Sequence, residues 1–173
     1  MKRIDVDGES GAEIYQLIDD PRFADNIYGE QPYGSADGSR IAIRFYRAGD
    51  SDGGLSVFDL NDGNLFPVLE TQPRFPAFHA WGESLYYQES VADRLVLKRC
   101  SYRTPVTEEA LYLSGETDRL SYGTVSPDGR CYAVSAHGEE GSSRVLSFDL
   151  HAGERLVSLD SERYLKHEQF ALE

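Results

Sequence analysis

The stretch Ser126-Pro127-Asp128-Gly129-Arg130-Cys131-Tyr132-Ala133-Val134 decides the fold, because the chain carries it twice. Its other copy, Ser35-Ala36-Asp37-Gly38-Ser39-Arg40-Ile41-Ala42-Ile43, lies 91 positions upstream. Downstream of each copy comes a second shared motif. Ser147-Phe148-Asp149-Leu150-His151-Ala152-Gly153 repeats Val57-Phe58-Asp59-Leu60-Asn61-Asp62-Gly63 at an offset of 90. A weaker copy sits halfway, where Ala80-Trp81-Gly82-Glu83-Ser84-Leu85-Tyr86-Tyr87 keeps the glycine and the apolar run after it. Gly38, Gly82 and Gly129 are then 44 and 47 residues apart.

A period of about 40–45 residues holding four short strands is the length of one propeller blade. Ile41, Ile43 and Phe45 alternate with smaller or polar neighbours, as a half-buried strand does. The Asp-Gly pairs at 37–38, 62–63 and 128–129 suit tight turns, since glycine tolerates positive φ and aspartate bonds its own backbone. The first blade is predicted as strands near 28–36, 40–46, 54–60 and 64–69. The second takes 75–81, 84–89, 94–101 and 107–114, and the third 120–126, 130–136, 143–150 and 154–159. The segments 108–113 and 162–167 also suit a helical turn.

The termini read as partial blades. Ile4-Asp5-Val6 with Gly11 resembles Phe58-Asp59-Leu60 with Gly63 but with a longer turn, and 14–17 follows as an outer strand. At the other end, 167–173 aligns with 122–128, so Glu173 falls on the turn aspartate. The expected division is 1–19 (end of a preceding blade), 26–70, 71–115 and 116–160 (blades) and 161–173 (start of a further blade). Closed propellers have about four to eight blades. Either the terminal strands join in one composite blade, or the chain is about half of a larger, seven-bladed propeller. The composite lacks one strand, so the second arrangement is favoured.

Composition narrows the function. The 173 residues suffice for one domain with a core, and aromatics reach 12%. Seventeen Lys and Arg against thirty Asp and Glu give a net charge of −13, which repels phosphate and disfavours nucleic acid and anionic membranes as partners. No apolar run approaches the roughly 20 residues of a membrane span, and no secretory signal is visible at 1–10. Cys100 and Cys131 form neither a disulfide framework nor a zinc pattern, and they read as buried and inert. The expected compartment is the cytoplasm.

Ser126-Pro127-Asp128-Gly129-Arg130 and the strand after it resemble the WD-like repeat of bacterial propellers, a signature of fold rather than function. Three further stretches are more specific: Asn26-Ile27-Tyr28-Gly29-Glu30-Gln31-Pro32-Tyr33, Ser121-Tyr122-Gly123-Thr124-Val125-Ser126, and His167-Glu168-Gln169-Phe170. Together they resemble the oligogalacturonate lyase family, seven-bladed propellers that cleave short oligouronides by β-elimination. The resemblance implies a manganese-like divalent metal held by histidines and a glutamine near the axis. Here His167 alone matches a ligand-bearing motif. The family's other ligands come from later blades, so activity of this chain by itself is expected to be weak or nil.

Residues on the innermost strands face the channel. Counting back seven from each turn glycine gives Gln31, Phe75 and Tyr122, with His167 at the same place in the next repeat. Aromatic rings stack on sugars and polar tips bond hydroxyls, so these positions are candidate ligand contacts. Packing between blades is the alternative for both aromatics. His79 precedes the second turn and is a further candidate, with a core histidine as the alternative. His137 and His151 read as surface. Glu139-Glu140 and Asp50-Ser51-Asp52 lack the spacing of a calcium loop, and no serine elbow or phosphate loop is present. No basic patch for an acidic substrate is visible. Two functions fit: a segment of an oligouronide lyase, or a non-catalytic propeller module binding a protein or glycan. Expected partners are an acidic oligosaccharide, and a second copy or a missing C-terminal half.

Overall fold

The computed structural model describes residues 1–19, 23–27, 33–46, 53–71, 75–79, 82–104, 106–113, 120–138, 141–165 and 170. Fourteen strands are present and no α-helix occurs among the described residues. β1 (Lys2–Val6) and β2 (Glu13–Gln16) form a hairpin. β3 (Phe23–Asn26), β4 (Arg40–Tyr46), β5 (Gly53–Asp59) and β6 (Leu65–Leu69) form an antiparallel meander. A second meander follows, from β7 (Pro76–His79) through β8 (Ser84–Val91) and β9 (Arg94–Ser101) to β10 (Thr107–Tyr112). The third runs from β11 (Leu120–Val125) through β12 (Cys131–His137) and β13 (Ser143–Asp149) to β14 (Glu154–Ser161).

The second and third meanders are fused. Their first strands, β7 and β11, pair in parallel with Ala77 opposite Gly123 and His79 opposite Val125, giving one sheet of eight strands. First strands of radial modules all run one way and converge on the axis. Two that come close enough to exchange hydrogen bonds therefore do so in parallel.

The three turn glycines occupy one structural place. The N–H groups of Gly38, Gly82 and Gly129 donate to the carbonyls of Ser35, His79 and Ser126 at 2.9, 3.3 and 2.8 Å. The residue after each glycine (Ser39, Glu83, Arg130) accepts from Leu60, Tyr102 and Leu150 in turn. Gly38 and Gly129 both sit at φ +70°, a conformation that costs a side-chain-bearing residue roughly 1 kcal/mol or more.

β3 lies at Phe23–Asn26, ahead of the first strand predicted near 28–36, of which 28–32 fall outside the described residues; Gly34 bridges Ile41. Two expectations need correction. The terminal hairpin matches differently. Asp7, not Asp5, corresponds to Asp59 and Asp149: Gly11, Gly63 and Gly153 each donate to that aspartate's carbonyl at 2.9 Å. The turn is therefore of equal length in all three places. Segment 108–113 is no helical turn, because β10 pairs with β9 and sets Glu108 against Arg99 and Glu109 against Lys98. Opposite charges on facing strands favour that extended pairing.

The core consists of three layers between successive modules. Ile43, Phe45 and Phe58 meet Leu17 and Ile18. Ala42, Leu55 and Val57 meet Leu85, Tyr87 and Tyr102. Tyr86, Leu97 and Leu111 meet Val125, Tyr132, Val134 and Leu146. Alternation along β4 and β8 sends successive residues to opposite neighbours, so the first and second meanders each seal two layers. Full burial of each such side chain contributes about 1.5–3 kcal/mol.

Candidate functional site

Phe75 and Tyr122 come together. Phe75 immediately precedes β7 and Tyr122 lies in β11, and the parallel pairing of these strands brings the rings to 5.3 Å between centroids at 64°, edge to face. Both residues are half-buried. Gln31 and His167 lie outside the described residues.

His79 stands at the other end of β7, about 13 Å from Phe75 by strand rise. It replaces the serine of the other two turns. Ser35 and Ser126 each donate from Oγ to the turn aspartate, Asp37 or Asp128, at 2.6 and 2.5 Å. His79 instead packs edge to face on Tyr86 at 5.4 Å and brings Nε2 to 3.4 Å from the Pro127 carbonyl. Burial lowers its pKa, favouring the neutral ring. A Cβ on Gly82 would lie 2.1 Å from His79 Nδ1, so this imidazole fits only beside a glycine.

Arg44 joins the aromatic pair, and the sequence reading passed over it. Its Nη1 lies 3.5 Å from the Tyr122 hydroxyl, and its Nη2 lies 3.6 Å from Asp25 Oδ2 on the neighbouring β3. The guanidinium carbon is 6.0 Å from the Tyr46 ring centroid. Arg44 Nε is buried with no hydrogen-bond partner among the described residues. The available signal was a charge inside an otherwise apolar strand, Ile41-Ala42-Ile43-Arg44-Phe45, where an arginine requires a partner.

Position explains the convergence. Arg44, Gln88 and Ser135 each stand six residues after a turn glycine, on the face turned toward the next module. Each carries one buried polar atom with no partner among the described residues: Arg44 Nε, Gln88 Oε1 and Ser135 Oγ. Gln88 spends its amide nitrogen on the third meander, donating to the Ser121 carbonyl at 3.1 Å and the Tyr132 hydroxyl at 3.0 Å. Arg44 at the equivalent place reaches farther and meets Tyr122 near the axis.

The remaining candidates serve the fold. His137 stacks on Tyr164 at 4.3 Å and lies 3.2 Å from Ser143 Oγ, which also accepts from the Leu165 N–H. His151 lies in an exposed turn. Cys100 is buried, and burial raises its thiol pKa, whereas Cys131 is only half-buried. Among the described residues no three His, Cys, Asp or Glu side chains could hold a metal ion together. No helix among them is long and apolar enough to cross a membrane. A cavity of about 600 Å³ lies between Leu17-Ile18, which follow the terminal hairpin, and the first meander, lined mainly by apolar groups such as Ile41 and Ile43.

Solved structures of similar shape fix the architecture. An oligogalacturonate lyase from Vibrio parahaemolyticus superposes with a TM-score of 0.69 over 96% of this chain and 49% of that one, at 12% identity. An oligogalacturonate lyase in complex with manganese gives 0.70 over 96% and 50%, at 17% identity. The β-propeller domain of the trilobed protease from Pyrococcus furiosus gives 0.56 over 83% and 44%, at 11% identity. The chain has a β-propeller fold. It spans about half the length of the two lyases. No protein-family profile matches the sequence, and no curated protein does.

Proposed function

We propose that this chain is a propeller segment related to oligogalacturonate lyases, whose parent activity is metal-assisted β-elimination of oligouronides in the cytoplasm. The observation that carries the reading is the Phe75–Tyr122 pair at 5.3 Å, set at the start of β7 and on β11, the first strands of neighbouring meanders, where a propeller presents side chains to its axis. Aromatic rings and a phenolic tip suit a sugar, which offers both apolar C–H faces and hydroxyls. Superposition over 96% of the chain with two lyases of that class supports the same reading.

In the elimination a base takes the proton beside the uronate carboxylate, the glycosidic C–O bond at the β-carbon breaks, and a C=C bond forms. The leaving oxygen takes up a proton. The contribution assigned to the described residues is binding, and the activity assigned to this chain by itself is weak or nil.

Incubation with digalacturonate and manganese, followed by the ultraviolet absorbance of the unsaturated product, tests this. Binding with little or no absorbance rise is expected. A rapid rise would overturn the statement that the chain is weak alone. Absence of both binding and lysis would overturn the lyase relationship. Binding of neutral and acidic glycans alike, without lysis, would favour a non-catalytic glycan-binding module.

A further inference from the structure

We propose that the outer edge of β14 pairs with the same edge of a second copy of this chain, antiparallel and about a twofold axis at position 158. The strand that completes the sheet is β14 itself.

Each meander ends in an outer strand, and the three outer strands differ. β6 is five residues long and carries Pro67, which has no N–H to give a neighbouring strand. β10 has six residues and sets Glu108 beside Glu109, charges that keep an edge solvated. β14 has eight residues, and its Leu156, Val157 and Leu159 are 52%, 57% and 60% exposed. Alternate residues of an edge strand direct their N–H and C=O groups away from the sheet, which leaves a row of unpaired donors and acceptors. Among the described residues nothing pairs with that row. After β14 the chain turns inward: Tyr164 stacks on His137 of β12, and the Leu165 N–H donates to Ser143 Oγ of β13.

The register follows from a bulge. Phe148 faces Arg155 and Ser147 faces Val157, so Leu156 is an extra residue in β14. Arg155 and Asp160 consequently share one face of the sheet, opposite Phe148 and Arg144, while Val157 and Leu159 share the other. A twofold axis at position 158 sets Val157 against Leu159 of the second copy on one face and Arg155 against its Asp160 on the other, each pair occurring twice. Asp160 Oδ1 accepts from Arg144 Nε at 2.6 Å, and an exposed carboxylate has acceptor sites for two arginines. The net charge of −13 repels a second copy at long range, and the two Arg155–Asp160 pairs oppose that repulsion at the joint. An edge joint of eight residues is small, which places the dimer in the weak, roughly micromolar class.

Sedimentation of the whole chain over a range of about 1 to 200 µM tests the inference, and monomer should convert to dimer across it. Leu159→Lys should abolish the dimer, because a lysine on an edge strand blocks pairing. Arg155→Asp and Asp160→Arg should each weaken it at least about tenfold, since each sets like charges opposite one another twice. Mixed in equal amounts, those two variants should recover dimer as a heterodimer, in which both pairs are again of opposite sign. Amide exchange in Glu154–Ser161 should slow as the concentration rises. Melting curves check that each variant is folded. A monomer throughout the series, an assembly that Leu159→Lys leaves intact, or single variants that gain nothing on mixing would each overturn the inference.

Discussion

Asp37 shows how much one side chain fixes at the smallest scale. Its Oδ1 accepts from the Ser35 and Ser39 hydroxyls at 2.6 and 2.7 Å and from the Ser39 N–H at 3.0 Å. Asp128 does the same with Ser126 and the Arg130 N–H, and Asp149 accepts from the N–H groups of Ala152 and His151. Hydrogen bonds to the charged form hold all three carboxyls below the usual carboxylate range: first the Ser35 hydroxyl for Asp37, the Ser126 hydroxyl for Asp128 and the Ala152 N–H for Asp149. Asp59 is lowered likewise, by the Asn61 N–H and then by Arg40. The unfolded chain therefore binds more protons than the folded one as pH falls through about 4, the unfolded carboxylate value. Stability from these turns is full above that range and is lost as pH drops through the lower folded values. Urea midpoints should fall steeply from about pH 5 to pH 3. In the double variant Asp37→Asn and Asp128→Asn, which keeps an acceptor oxygen but no charge, the fall should be shallower. An unchanged slope would mean the turns do not govern the acid response.

Between elements, the joint of β8 with β11 and β12 rests on Gln88. The side chain is fully buried, and its amide nitrogen serves Ser121 and Tyr132. Tyr132 fits because residue 123 is glycine: a Cβ there would lie 2.4 Å from its ring and 2.8 Å from the Ala133 carbonyl. Replacing Gln88 with Leu withdraws one donor from two buried acceptors and should cost about 1–3 kcal/mol in urea unfolding. Adding Tyr132→Phe should cost less than it does alone, since removing both partners leaves fewer unmet groups. Strictly additive losses would show that the two side chains act separately. This joint was hidden in the sequence. Gln88 falls in Tyr86-Tyr87-Gln88-Glu89, and nothing in a strand pattern distinguishes a buried amide from an exposed one. The turns were readable because Asp-Gly chemistry is local. Asp7 was missed because Ile4-Asp5-Val6 copies the apolar-Asp-apolar pattern of Phe58-Asp59-Leu60, and the spacing of four residues from aspartate to glycine was the better guide.

At the scale of the molecule, the repeat gave the architecture, since three copies of a local motif fix where strands start and reverse. It could not give the convergence at the axis. Phe75 and Tyr122 were found by counting from turns, but Arg44 is 78 positions from Tyr122, and only the packing of three modules brings them together. The same layering predicts a gradient of local stability. The terminal hairpin of β1 and β2 is exposed along nearly its whole length, and Leu17 and Ile18 are its link to the first core layer. The second meander is covered on both sides: Leu85 and Tyr87 meet the first, and Tyr86 and Leu97 meet the third. Opening the hairpin exposes little apolar surface, whereas opening β8 or β9 breaks two layers at once. Amide hydrogen exchange should therefore be fastest in Lys2–Val6 and Glu13–Gln16 and slowest in Ser84–Val91 and Arg94–Ser101. Truncating Leu97 to Ala should speed exchange in β8, β9 and β12 together, at a cost of about 2–5 kcal/mol for the cavity, and leave the hairpin rates unchanged. Uniform protection from β1 to β14 would instead require the hairpin to be anchored as firmly as the centre, which its exposed side chains do not allow.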